Sequence, residues 1–488
     1  MISRGRGKGL AQGAATLLAV AMPIGLGGCA KLSPDGGMFT VQAAASAELG
    51  NEVVKIRDEA DAAAVAARVK GLLAKPLTVS NAVQIALINN RALQAAFNEL
   101  GISEAQLLEA SLPPPPTISF ERIVGSGFEI ERRILQNVLA LLTLPRRREI
   151  AEVRFKQAQA RAVEATLRIA METTRTYHRA VAVNETLKFL EESRLSAESV
   201  SDLAKQLGET GAMSKLDQAR EHAFYAEVSG QVATARLRQR SERERLIRVL
   251  GLWGKDTQFR LPNKLSALPA KPRSMAAVER EAVSRRVDLV IARMELDALA
   301  RELGLTRKTR FINALEVAGI SKTEKDIAPD GEVDKIKRAG FELEVQIPIY
   351  DFGESRLRRA EETYMQAVNR LLERAVNVRS EAREAYQTYR GAYDIAQHYE
   401  REVLPLRKII SDETLLNYNA MIRDVFSLLG EARARITANS QAIEARRDFW
   451  LASVDLHAAI VGGRGAGETT PMPSATSQAS GGRSAEQH

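Results

Sequence analysis

Phe341, Leu343, Val345 and Ile347 are apolar and alternate with Glu342, Glu344 and Gln346. A period of two puts successive side chains on opposite faces of a strand, here one apolar and one acidic. Pro348 closes the run, since its nitrogen has no hydrogen to give a strand ladder. Phe311, Asn313, Leu315 and Val317 predict a partner strand across a charged loop, Ser321 to Arg338. An earlier stretch repeats the plan. Ile118 and Phe120 open a strand after the run of prolines at 113–116, Gly125-Ser126-Gly127 makes a turn, and Ile134 to Leu144 predicts the returning strand.

The rest of the pattern is helical. From Arg146 to Leu207 there is neither glycine nor proline, which predicts a helix of about 90 Å at 1.5 Å per residue. Within it Val163, Leu167, Ala170, Thr174, Tyr177 and Val181 recur at spacings of four and three, the seam of helices that supercoil. A second long helix is predicted from Glu354 to about Leu404, with Pro405 near its end. Each has a partner, Met213 to Leu250 and Ile422 to Ile460, after reversals near Gly208–Gly211 and Asn417–Met421.

These elements come in two copies. Shifted by 196 positions, Ala86 meets Ala282, Leu93 meets Leu289 and Ala96 meets Ala292. Each copy then continues as strands, a long helix and a second helix. Duplication of this kind predicts two units facing a common axis, neither able to bury its apolar face alone.

Composition narrows the reading. Aromatics are 5% of the 488 residues, and the formal charge of +8 is spread along helical faces, with no basic patch interleaved with aromatics. Nucleic-acid binding is therefore not expected. The single cysteine, Cys29, excludes a disulfide framework within the chain. His178, His222, His398, His457 and His488 are too scattered for a local metal helix. No Ser-His-Asp set or phosphate loop is visible, so neither an enzyme nor a cofactor is expected.

Arg4, Arg6 and Lys8 precede a short apolar run, Leu10 to Leu26, followed by Leu26-Gly27-Gly28-Cys29. The run is too short for a comfortable membrane span. It resembles a bacterial lipoprotein signal, in which the cysteine becomes lipid-modified and the new N-terminus; a plain secretory signal is the alternative. By the same resemblance, Ala30 after the cysteine suits outer-membrane sorting. Residues 30–48 read as a tether.

Strands with one apolar and one polar face suit either a soluble sheet with a wet side or the wall of a transmembrane β-barrel, and the leader favours the second. Four strands cannot close a barrel, and open edges are not tolerated in lipid. A membrane-spanning reading thus demands an oligomer sharing one barrel.

Several short runs carry a family resemblance: Ala82, Ala86, Leu87 and Asn90; Arg286 with Asp288-Leu289; Gln346-Ile347-Pro348-Ile349-Tyr350-Asp351-Phe352-Gly353; and Phe449-Trp450 with Ala452, Leu456 and Gly462-Gly463. In this order they resemble the TolC-like outer-membrane efflux proteins in their lipoprotein form, over roughly residues 76–462. The proline-rich entry Leu112 to Ser119 resembles the heavy-metal efflux branch. The resemblance implies a mainly α fold with short β strands, a homotrimer with a helical α-barrel, and a shared 12-stranded transmembrane β-barrel. It further implies an outer-membrane conduit, anchored in outer-membrane lipid, that reaches into the periplasm and works with a periplasmic adaptor and an inner-membrane pump.

The implied organisation is a signal peptide (1–28), an anchor and N-terminal periplasmic segment (29–75), a first repeat (76–270), a second repeat (271–463) and a disordered tail (464–488). The rival is a lipid-anchored periplasmic coiled-coil adaptor, which would need one helical hairpin flanked by small β-domains.

The family closes its periplasmic end where the second helices of each repeat converge. Shifted by 210, Gly211 meets Met421 and Asp217 meets Ser427. Arg423 stands where the family often has a gating arginine. Ser427 replaces the usual aspartate, leaving Asp424 and Asp217 as candidate partners. At the first strand-to-helix junction Leu144-Pro145-Arg146-Arg147-Arg148 lacks the aromatic and glycine of Tyr350–Gly353. Its arginines would anchor at the interface or select anions.

Overall fold

The computed structural model describes residues 32–125, 128–274, 277–327, 333–420, 422–423 and 425–463. Among the described residues four helices precede the first strands: α1 (Met38–Leu49), α2 (Glu59–Leu73), α3 (Val79–Asn89) and α4 (Arg91–Ser111). The first copy continues with β1 (Thr117–Val124), β2 (Phe128–Asn137), α5 (Val138–Glu209) and α6 (Lys215–Leu250). The second has α7 (Val278–Arg285), α8 (Val287–Thr309), β3 (Ala314–Ile327), β4 (Val333–Gln346), α9 (Glu354–His398), α10 (Leu404–Asn419) and α11 (Val425–Val461). The chain is mainly helical with four strands, as the pattern predicts.

The duplication is visible in the backbone. Asn90 breaks α3 from α4 at φ −68°, ψ 120°, and its N–H donates to the Ala86 carbonyl. Arg286 breaks α7 from α8 at φ −67°, ψ 120°, and donates to Ala282. These are the residues 196 apart. At the helix reversals the shift is 210: Ala212 and Met213 donate to the Leu207 carbonyl, and Ile422 and Arg423 donate to Asn417. Most of the difference between the two shifts lies in the second strand pair, which is longer than the first.

Two compact units result. One holds the sheet and the helix segments 95–162 and 290–373. Its strands run β1-β2-β3-β4, all antiparallel. The other is helical and includes both hairpin tips. Its core gathers Leu77, Ile85, Ile88, Val181, Leu246 and Leu250. The Tyr177 hydroxyl donates to the Leu77 carbonyl (2.9 Å). Of the predicted seam, Val163, Leu167, Ala170, Tyr177 and Val181 are buried.

Several boundaries differ from the sequence reading. The expected strand Ile134–Leu144 ends at Asn137, whose side chain accepts the Ala140 N–H (2.7 Å) and caps a helix there. The apolar run after it is the first turns of α5, with Pro145 inside. Phe311 and Asn313 precede β3, which starts at Ala314. The charged loop Ser321–Arg338 is largely strand. Its charges alternate as a strand requires and pair across the ladder, Lys322 with Glu129 and Arg338 with Glu324. Helix does not stop at Leu404: a π-turn at Tyr399–Val403, with the Leu404 N–H donating to Tyr399, absorbs the donor that Pro405 lacks. Finally, part of the expected tether is α1, with Met38, Val41 and Ala45 buried.

Candidate functional site

Two regions carry the candidate chemistry, one in each unit. The first is the sheet, whose register sorts side chains onto two faces. On one face, four-strand rows read Ile118–Ile134–Gly319–Phe341 and Phe120–Arg132–Ser321–Ala339, followed towards the β1–β2 turn by Arg122–Ile130–Thr323–Lys337 and Val124–Phe128–Lys325–Lys335. Away from the turn the same face continues with Val317–Leu343 and Leu315–Val345. These apolar side chains lie open: Phe341 is 84% exposed and Ile118 74%. Burying large apolar side chains is the main favourable term in folding, so a band left this exposed marks a surface that something else covers.

The other face is polar. It carries Glu121, Glu129, Glu131, Glu316, Glu324, Glu342 and Glu344 with Arg133, Lys322 and Arg338. Each of these three cations has an acidic partner on the face, including Arg133 with Glu342 at 2.9 Å. Past the end of β4, Ile347 and Ile349 extend the exposed apolar run, and Tyr350 (98% exposed), Phe352 and Phe311 are exposed aromatics at this end of the sheet. An apolar band ending in aromatics is the pattern of a barrel wall at a lipid–water interface.

The turn into α9 is tight. Phe352 has φ +47° and Gly353 φ +74°. A Cβ on Gly353 would sit 2.2 Å from the Arg310 carbonyl oxygen, so only glycine fits.

The second region is the pair of hairpin tips. Arg423 is exposed, and its backbone N–H donates to Asn417. Its side chain makes no ion pair among the described residues. Asp217 has a local role: Ser214 caps α6 by accepting the Asp217 N–H (3.2 Å) and donates its hydroxyl to the Asp217 carboxylate (2.7 Å). Arg220 lies 3.7 Å from the same carboxylate. Ser427 is half-buried in α11 and engaged. The structure does not bring Arg423 and Asp217 together within one chain. Asp424 and Cys29 lie outside the described residues.

Nearby contacts escaped the sequence reading. Arg433 bridges α11 to Glu227 of α6 (3.1 Å) and lies over the Phe224 ring. Glu221 is 1% exposed, and neither carboxylate oxygen has a hydrogen-bond partner among the described residues. Burial pushes its pKa up, against the pull of Arg433. The signal was present, because Glu221 falls in step with the buried seam Phe224, Val228, Val232 and Ala235.

His178 stacks on Trp450 at 5.3 Å, and burial pushes its pKa down to about 4. It is therefore a neutral packing residue at pH 7. No group of three His, Cys, Asp or Glu able to hold a metal exists among the described residues.

No protein-family model matches the sequence, and no curated protein matches it. Solved structures do. CusC, crystallised in a study of its folding and transmembrane channel formation, aligns with TM-score 0.66 at 15% identity, over 79% of this chain and 92% of that one. The Campylobacter jejuni CmeC outer membrane channel gives 0.62 at 17%, over 80% and 87%. The Neisseria gonorrhoeae MtrE outer membrane channel, in its open state, gives 0.62 at 14%, over 81% and 89%. The chain has the fold of these outer-membrane channels. No described helix is long and apolar enough to cross a membrane.

Proposed function

We propose that the chain is the outer-membrane channel subunit of a tripartite efflux or secretion system: a passive conduit, not an enzyme, for small molecules or metal ions. The observation that carries this is the sheet, with one exposed apolar face, one acidic face and only four strands. Such a sheet satisfies its edge hydrogen bonds in lipid only by closing with strands of other subunits. Three copies would give a 12-stranded barrel with the acidic face lining the water. The likeness to CusC, CmeC and MtrE supports the same reading. A periplasmic adaptor and an inner-membrane pump would supply recognition and energy, and Cys29 would hold a lipid anchor. The test is the mass of the detergent-extracted protein by light scattering corrected for detergent. Three chains per particle are expected. A stable monomer overturns the reading.

In the assembled trimer Arg423, which makes no ion pair among the described residues, would latch the hairpin tips to a carboxylate or hydroxyl of a neighbour, with Asp217, Asp424 and Ser427 the candidates. Opening of the tips would admit cargo. Arg423→Ala is expected to raise single-channel conductance in a planar bilayer. An unchanged closed-state conductance would remove the latch.

A further inference from the structure

The apolar face of the sheet is not apolar throughout. Its two rows nearest the β1–β2 turn hold Arg122, Lys325, Lys335 and Lys337, and the row below holds Arg132. Among the described residues this face carries no acidic side chain, and none of the five cations has an ion-pair partner. Lys325 and Lys335 stand directly opposite each other on β3 and β4. Like charges in that position repel, and the neighbouring Lys337 adds a third. The Lys325 ammonium (4.9 Å) and the Arg122 guanidinium (5.8 Å) both lie against the Phe128 ring, drawing two cations to one spot. On the opposite face every described cation has a carboxylate. The unpartnered cations are therefore confined to the side with the exposed apolar band.

We propose that this cluster binds the phosphates of a phosphorylated lipid headgroup in the outer leaflet. Lys325, Lys335 and Lys337 supply the charge, with the Thr323 hydroxyl as a further donor in the Lys337 row. Cations of this kind bind phosphate oxygens by charge-assisted hydrogen bonds. The order of chemistry along the strands selects lipid over free phosphate: the lysines sit above Phe341, Leu343 and Val345, with only the Ser321–Ala339 pair between, and the acyl chains of the same molecule would lie on that apolar stretch. Free phosphate would have no use for that band. The inference rests on the reading that the sheet spans a membrane.

The experiment uses the full chain purified in detergent, with lipid A as the probe and inorganic phosphate as the competitor. The triple variant Lys325→Gln, Lys335→Gln, Lys337→Gln is compared with wild type and with the matching lysine-to-arginine triple. Wild type is expected to bind lipid A. The glutamine variant should bind at least tenfold more weakly, and the arginine variant should restore binding. Particle mass and channel conductance should be the same in all three. Equal binding by the glutamine variant overturns the proposal, as does displacement of lipid A by millimolar phosphate. A monomeric wild-type particle would instead sink the channel reading, which the mass measurement reports separately.

Discussion

The two copies of the repeat solve one corner identically and another in opposite ways. Where α3 meets α4 and α7 meets α8, Asn90 and Arg286 hold backbone angles within a degree of each other. Where strand meets long helix, the first copy runs straight from β2 into α5 under the Asn137 cap, and the second needs a turn with two positive φ angles. The contrast separates geometry from residue identity. The helix break is made by an amide in one copy and a guanidinium in the other. Asn90 donates to the Val249 carbonyl (2.7 Å) and accepts the Leu93 N–H. Arg286 pairs with Asp288 and Glu381. What repeats is the break; the means of satisfying it differ.

The junctions offer the largest test. Gly353→Val forces a side chain onto the Arg310 carbonyl at a positive φ and is expected to destabilise by about 4 kcal/mol. Pro145→Ala is expected to act in the opposite direction. It restores an N–H within the α5 ladder and should stabilise by about 2 kcal/mol. Thermal midpoints of the purified protein measure both. Similar losses from the two substitutions would mean that the junctions are equally constrained, and the contrast between copies would fall.

The helix-break corner predicts a smaller, graded difference. Arg286 is nearly buried with two carboxylates. Removing one partner of such a group leaves charge unanswered, so Arg286→Ala should cost about 3 kcal/mol. Asn90→Ala removes one cap and one neutral hydrogen bond, for a loss of about 1 kcal/mol. Denaturant midpoints at constant slope separate them. Equal losses would show that the corner depends on its backbone alone.

Periodicity made the long helices, the duplication and the two-faced sheet legible, because seam and alternation are local properties of the chain. It failed where one residue outweighs the run around it. Val138–Leu142 is apolar enough for a strand, and only the Asn137 side chain, folding back on Ala140, decides for helix. Ser321–Arg338 looks like a loop until the register of β3 against β2 sets Lys322 opposite Glu131, within ion-pair reach of Glu129. The gate was legible only as positions. Arg423 and Asp217 do not meet within one chain, so any contact between them belongs to the assembly, which a single sequence does not describe.

The subtlest difference between copies lies behind the tips. Glu221 and Glu431 are related by the same shift of 210 as the tip hydrogen bonds. Glu431 faces Arg407 at 3.3 Å. The first-copy position matching Arg407 is Ala197, buried with Phe224 and Val228, and Glu221 has no ion pair among the described residues. Its folded pKa is raised by burial above the unfolded value. The folded state then holds the proton more tightly, so stability from this group is full below the unfolded pKa and is lost as pH rises through the folded one. Glu221→Gln should therefore stabilise by about 1 kcal/mol at pH 7, with the gain vanishing towards pH 4. Glu431→Gln gives up an ion pair and should lose about 0.5 kcal/mol at pH 7. Thermal midpoints of both variants at the two pH values decide the point. A Glu221→Gln loss at pH 7 would mean that a neighbouring subunit supplies the cation this chain lacks, so that the two copies would be equally satisfied once assembled.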